Sequence, residues 1–462
     1  MSRFSASVSR RLMLGGLASL PLAAALRGLP AAAAVRPDAD AALVAISDLH
    51  SCYGALPALV RAVKDVRASL RGRPMAILVN GDVFDRSDAV ALRSAGMVDW
   101  AAMGVLASIA PVVLNIGDQE VALRDDLATV VAGAHRIGVT VVGNVVDKRT
   151  GDFFAPISTR LELGGNTVGI LGLSPQDPDL WRAGARDAIA TLDPVGFAGS
   201  AGYAAFAGVD MPLVLSHAGL AADKKIFPAL PPGAVLVGGH DHLDFQHHDG
   251  DRLMVHPGCY GESLSVISLK FGAAPSASAE RVEIRPGGDE DMAVSALVDS
   301  ARLAYLSGPA QEAIAELPEA RTRAEGALLA ADALRSASGA DLALIDHVGL
   351  GSALPGGTLR RYDLDKFMRR DAPVVTAEVS GEALGRILAR ANQHEAQGLE
   401  GRTGDFVHAP VIAPDPAATY RLAMGEWVAA RSAEYLAAPG LSFAPTEGLT
   451  LRGAVEARLR SA

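Results

Sequence analysis

Met75-Ala76-Ile77-Leu78-Val79-Asn80-Gly81-Asp82-Val83-Phe84-Asp85-Arg86 decides how this chain reads. Met75 to Val79 predicts a buried strand, and the glycine after it a turn that presents Asp82 and Asp85 at the strand's carboxyl end. Carboxylates in that position lie where an open α/β sheet places its ligands. The same layout recurs three times. The apolar run Ala41–Ile46 leads to Asp48 and His50, which an extended strand end would point the same way. Met211–Leu215 leads to His217, and Ala234–Val237 leads to His240 and His242.

A single Gly-Asp pair or a lone buried histidine is ordinary core material. Four strand ends carrying Asp and His, all in the first two-thirds of the chain, instead fit a metal site, which draws O and N ligands from several segments. A two-metal site also needs a bridging carboxylate, and Asp82 is the candidate.

Asp48-x-His50, Gly81-Asp82-x-x-Asp85-Arg86, Gly117-Asp118-Gln119-Glu120, His217 and Gly239-His240-x-His242 together resemble the calcineurin-like metallophosphoesterase superfamily. The resemblance implies an αββα sandwich with two divalent cations, Mn, Zn, Fe or Ca. Asp48, His50, Asp82 and His242 would hold one cation, and Asp82, Asp118, His217 and His240 the other. It places Asp85, Arg86, Gln119 and Glu120 on the catalytic face, with Arg86 either contacting a substrate oxyanion or paired with Asp85 or Glu120. The third motif departs from the pattern. Asp118 stands where the family has Asn, and Gln119 where it has the histidine that protonates the leaving oxygen. Gln has no proton to give, and general-acid catalysis is commonly worth about 10²–10⁴-fold.

Softer matches extend the resemblance to the 5′-nucleotidase branch: Val141–Asn144, Gly164–Gly172 and Val255–Gly261 in the first region, then Ala327–Ala337, Ala340–Ile345, Leu354–Gly357 and Val375–Leu384 in a second. They imply a smaller α/β domain like the 5′-nucleotidase C-terminal domain. Its substrate loop does not carry over, since the family's arginine falls on Gly351 and a late Gly-rich aromatic turn is missing. His347 lies in that altered loop and is a candidate for the missing acid, while His135, His256, His394 and His408 have no motif around them. Phe406, Tyr420, Trp427, Tyr435 and Phe443 could stack on a nucleobase or simply pack.

At the N-terminus, Ser9-Arg10-Arg11-Leu12-Met13-Leu14 followed by an Ala/Gly/Leu run reads as a twin-arginine signal with cleavage near Val35. The expected organisation is a signal at 1–34, a metallophosphoesterase domain at 40–272, a linker at 273–290 and the second domain at 291–462. A final strand at Ala279–Arg285 is the alternative to part of that linker. Leu56–Leu70 has helical spacing and reads as the crossover to the Met75 strand; helical material is also expected over Ala89–Ser108 and Arg182–Thr191.

A net charge of −10 without a long basic block argues against nucleic acid as a partner, and the chain after the signal has no segment suited to stable membrane insertion. The composition, 50% hydrophobic and 20% charged, is that of a globular protein. The partners implied are the twin-arginine translocation machinery and a small phosphate-ester substrate, in the periplasm. A sulfur-ester hydrolase similar to periplasmic thiosulfohydrolases and a non-catalytic binding protein are the rival readings. Cys52 and Cys259 either pair in that oxidising compartment or stay buried thiols. Restoring the acid gives the first prediction: Gln119→His should raise turnover of a phosphomonoester with a poor alcohol leaving group by about 10²-fold or more. Steady-state kinetics showing no gain would remove this account of position 119.

Overall fold

The computed structural model describes residues 34–285, 287, 289–391, 398–402 and 406–461. The expected export signal up to residue 33 and His394 lie outside these residues.

The strand Met75–Asn80 sits inside a six-stranded sheet whose spatial order is Ser276–Glu283, Ser263–Lys270, Ala41–Ile46, Met75–Asn80, Val112–Asn115, Val139–Val142. The last four run parallel, and the first two are antiparallel additions at one edge. Both faces of the central strands are buried, which explains their continuous apolar runs. Val44, Ile46, Ile77 and Val79 face the helices Leu56–Ser69, Met97–Ile109 and Leu127–Arg136. The alternate residues Leu43, Ala45, Ala76 and Leu78 face a second sheet. That sheet runs Asp244–Asp249, Arg252–Pro257, Val235–Gly238, Met211–Ser216, Asn166–Leu173, Ser158–Leu163. Its far side is covered by Pro194–Phe206 and Leu220–Ile226. The first domain is therefore the expected helix-sheet-sheet-helix sandwich. Parallel strands from both sheets end on one side, bringing Asp48, Asp82, Asp118, His217 and His240 together.

The crossover helix forms as its spacing predicts, with Leu56, Leu59, Val60, Val63 and Val66 buried. Three expectations change. Ala89–Ser108 divides into Ala89–Ser94 and Met97–Ile109 because Ala95 and Gly96 take left-handed conformations between them. Over Arg182–Thr191 only Ala183–Arg186 is helical; Ile189 and Ala190 instead pair with Val146 and Asp147. The stretch expected as a linker contains the strand Ser276–Glu283, with Ala279 and Val282 buried, so the alternative placement was nearer the fold. Helix Met292–Tyr305 then buries Val294, Val298 and Ala301 in the first domain's core, past the expected boundary.

The second domain is a five-stranded sheet ordered Phe406–Ala409, Leu342–Asp346, Thr419–Gly425, Pro373–Ser380, Ala444–Thr450. Arg323–Ser338 and Leu451–Arg460 pack on one face, Gly381–Ala389 and Glu426–Ala430 on the other. No helix among the described residues is long and apolar enough to cross a membrane. Cys52 and Cys259 are both buried and free, so the disulfide alternative is not realised.

Helix Arg361–Phe367 joins the domains. The Tyr362 hydroxyl donates to Asp88 at 2.6 Å, and Lys366 Nζ lies 3.2 Å from the same carboxylate. Asp88 also caps helix Ala89–Ser94 through the Ala91 amide, so one buried carboxylate serves both domains. Tyr362→Phe should cost about 1.5–3 kcal/mol, the range for a hydrogen bond to a charged group. Chemical denaturation of the two proteins side by side would measure it, and equal stability would mean Lys366 alone carries the contact.

Candidate metal centre

Asp48 and His50 do not lie in an extended strand end. The strand stops at Ile46, and Asp48, His50 and Ser51 have φ values of 50°, 47° and 52°. Asp82, His240 and His242 are left-handed too, at 54°, 76° and 59°. Each such non-glycine residue costs about 1–2 kcal/mol, and that strain concentrates where tight turns aim several ligand side chains at one point. Backbone bonds between the turns hold them: Asp48 N to Gly81 O at 3.1 Å, His50 N to Asp82 O at 2.9 Å, and Tyr260 N to Asp48 O at 2.8 Å. Gly81 is needed in this packing, since a Cβ there would lie 2.5 Å from His217 Nδ1.

The seven expected ligands converge. His217 Nε2 lies 3.7 Å from Asp48, 3.3 Å from Asp82 and 3.8 Å from Asp118. His240 Nδ1 is 3.2 Å from Asp118. On the other side, His50 and His242 bring their Nε2 atoms to 2.9 Å, with Asp48 3.8 Å and 3.6 Å from them and Asp82 3.7 Å from His50. These atoms form overlapping groups, Asp48/His50/His242, Asp48/Asp82/His217 and Asp118/His217/His240, each compact enough for one ion.

The chemistry of the set fits divalent cations. His217 Nε2 and Asp118 Oδ1 are buried without a hydrogen-bond partner, as ligand atoms aimed at a cation would be. His217 Nδ1 donates to the Asn80 carbonyl at 2.6 Å, which fixes the ring and turns Nε2 toward the carboxylates. Burial holds His50 down to about 3 and, with the neighbouring His50, holds His242 well below its usual value, which favours the neutral, ligating form of each ring. Burial pushes Asp48 up to about 6. His240 is carried up to about 9 because Asp118 outweighs burial, and His217 is raised well above its usual value because Asp82, Asp48 and Asp118 do the same. A cation placed among these carboxylates would take over the balancing role of those protons.

Of the residues expected on the catalytic face, two are occupied elsewhere. Glu120 is 1% exposed, and its oxygens accept from the amides of Gly117 at 2.6 Å, Val83 at 3.0 Å and Asp82 at 3.2 Å. Burial and the Asp82 charge push it up to about 8. It clamps two ligand loops together. Asp85 is also buried; it accepts from Ser87 and lies 3.2 Å from Arg369 Nε. Gln119 donates to Asp118 Oδ2 at 2.6 Å, and its own amide donates to Asp82 Oδ1 at 2.8 Å. Arg86 is exposed and makes no ion pair among the described residues, so neither expected pairing forms. Gln119 and Arg86 line a cleft of ≈ 670 Å³ that opens beside Asp118.

His347 does not supply an acid. Its Nε2 meets the His242 carbonyl at 3.1 Å, and burial with Arg323 nearby holds it down to about 3. Two contributors were not foreseen. Asn80 ends the Met75 strand and ties both sheets together, donating to Ser216 O at 2.8 Å and Val237 O at 3.1 Å. A polar residue closing an apolar run was its only signal. Arg369 comes from the second domain with no motif around it.

A model of the calcineurin-like phosphoesterase family matches residues 42–244, the span that carries every one of these ligands. The chain contains a calcineurin-like phosphoesterase domain. Among solved structures, a 5′-nucleotidase precursor of Thermus thermophilus is 19% identical over 91% of this chain and 96% of its own, with a TM-score of 0.58. The sulfate thiohydrolase SoxB of Thermus thermophilus is 15% identical over 92% and 95%, TM-score 0.62. The 5′-nucleotidase of Candida albicans is 12% identical over 92% and 99%, TM-score 0.58. At these identities the likeness is one of fold, and it extends through both domains of the chain. No curated protein sequence matches the chain.

The clamp yields a prediction. Glu120→Ala should weaken divalent-metal binding about 10–100-fold, the usual cost of losing a residue that orients ligands. Equilibrium dialysis against Mn or Zn would read it, and unchanged affinity would show that the turns hold themselves.

Proposed function

We propose that this protein is a dinuclear-metal hydrolase of small phosphate esters, exported to the periplasm by the twin-arginine route. The observation that carries the reading is the convergence of three aspartates and four histidines from separate strand ends into overlapping ion-sized groups sharing Asp48 and His217. Asp48, His50, Asp82 and His242 would hold one cation; Asp82, Asp118, His217 and His240 would hold the other, with Asp82 common to both. Divalent cations there supply Lewis acidity and make hydroxide available near neutral pH.

The chain's own residues do the rest. Asp82, which would be shared between the cations, accepts from the Gln119 amide, and its neighbours His217 and His50 keep its carboxyl well below the usual range against the effect of burial. Arg86, which makes no ion pair among the described residues and lines the cleft, would meet a substrate oxyanion with two parallel donors. Arg369 lies at the inner wall of the same cleft. Gln119 orients Asp118 but transfers no proton, so the leaving group must depart as a stable anion.

The test is metal content of the purified protein, measured in the same sample as hydrolysis of p-nitrophenyl phosphate, a phosphodiester and AMP. About two ions per chain, turnover lost on chelation and regained on adding metal, and a preference for good leaving groups are expected. Bound metal without turnover of any ester would leave a binding protein, and hydrolysis of sulfur esters alone would replace phosphate with the sulfur reading.

A further inference from the structure

The cleft beside Asp118 is lined by six arginines, Arg86, Arg182, Arg186, Arg369, Arg370 and Arg452, against four aspartates. Three of those aspartates are already paired, Asp85 with Arg369, Asp179 with Arg186 and Asp365 with Arg452, and the fourth is Asp118. Arg86 and Arg370 are exposed and face no carboxylate within ion-pair distance among the described residues. The cleft therefore carries uncompensated positive charge, in donors whose geometry suits phosphate oxygens.

Among the described residues it presents no exposed aromatic face to a nucleobase. Trp181, the aromatic residue that lines it among the described residues, is 1% exposed. Of the rings that might have stacked, Phe406 is buried, and Tyr420, Tyr435 and Phe443 pack around the second domain's core. Trp427 is covered by the Arg370 and Arg431 guanidinium groups, 4.7 Å and 4.4 Å from its ring centre. Among the described residues the cleft also holds no proton donor for a departing alcohol, since Gln119 has none to give, Asp85, Asp179 and Asp365 are ion-paired, and Asp118 would hold a cation.

A leaving group that is itself a phosphate meets both conditions. It departs as a stable anion, because a phosphate monoester's second pKa is near 6, and its charge matches the arginines. Resting on the metal-hydrolase reading above, we propose that the substrate is a base-free phosphoanhydride chain and that Arg370, with its neighbours in the cleft, binds the leaving phosphate. In the reaction, a water oxygen bonds to the terminal phosphorus while the bridging P–O bond breaks on its far side. The bond's electron pair stays on the bridging oxygen, which leaves as a terminal oxyanion of the shortened chain. The water's proton passes to solvent, and no group of the protein protonates the leaving oxygen.

The full-length, metal-loaded protein tests this by calorimetry with two non-hydrolysable probes, methylphosphonate and methylenediphosphonate, the second adding the leaving-side phosphonate. Methylenediphosphonate should bind at least about tenfold tighter. Arg370→Ala should remove about tenfold of that advantage, the scale of one charge-assisted hydrogen bond, and should lower its salt dependence. Methylphosphonate should change less than about twofold, and Arg370→Lys should restore part of the loss. Inorganic tripolyphosphate should be hydrolysed faster than AMP in the same preparation. Equal binding of the two probes, or an advantage indifferent to Arg370→Ala, would overturn the subsite even if p-nitrophenyl phosphate is turned over. A working subsite in a protein that hydrolyses neither p-nitrophenyl phosphate nor tripolyphosphate would overturn the hydrolase reading instead.

Discussion

Oxygens of three buried carboxylates lie within 3.8 Å of a single nitrogen, Nε2 of His217. Two like unit charges 4–5 Å apart repel by roughly 3–4 kcal/mol even at an effective dielectric of about 20, and each buried ion also loses its hydration. Such a cluster persists only if positive charge sits within it and the surrounding chain cannot relax away. Much of the first domain answers that second need. Left-handed turns at Asp48, His50 and Asp82 are tied to one another by backbone bonds, the His240 amide donates to the Asp48 carboxylate, Asn80 spans the two sheets beneath them, and both oxygens of Glu120 accept from loop amides.

The second domain completes this arrangement. Arg369 reaches Asp85, Lys366 reaches Asp88 and the His50 carbonyl, and Arg323 reaches the His242 carbonyl. Gly351, where the related loop carries an arginine, explains how the segment gets there. A Cβ at 351 would collide with the Lys366 carbonyl, and the Gly351 amide donates to Phe367 O at 2.7 Å. One guanidinium is lost from its expected loop, and others arrive from the next.

The seven converging residues were legible as candidate ligands because their segments follow apolar runs. Met75–Asn80 and Ala41–Ile46 are buried on both faces, so their polar terminations at Asp82 and Asp48 stand out in one dimension. Glu120 and Asp85 had the right motif and the wrong inferred duty: residue type and spacing show that a carboxylate is present, not which atoms claim its lone pairs. His347 was misread for a similar reason, since its burial depends on Arg323 and His242, 24 and 105 residues away. The expected linker contained a strand because Ser276–Glu283 is an edge partner of Ser263–Lys270, half exposed and therefore polar enough to resemble a connection.

By itself, then, the sequence showed four apolar runs ending in Asp and His, since apolar period and terminal residue type are local properties written into each segment, and the resemblance those endings carry implied the sandwich and the seven candidate ligands. The tertiary structure alone decided which carboxylates stay available to a cation, which are consumed by backbone amides, and how the second domain turns its arginines into the cleft. Those outcomes depend on contacts between residues far apart in the chain, and distance and burial, unlike hydrophobic pattern, have no signature at any single position.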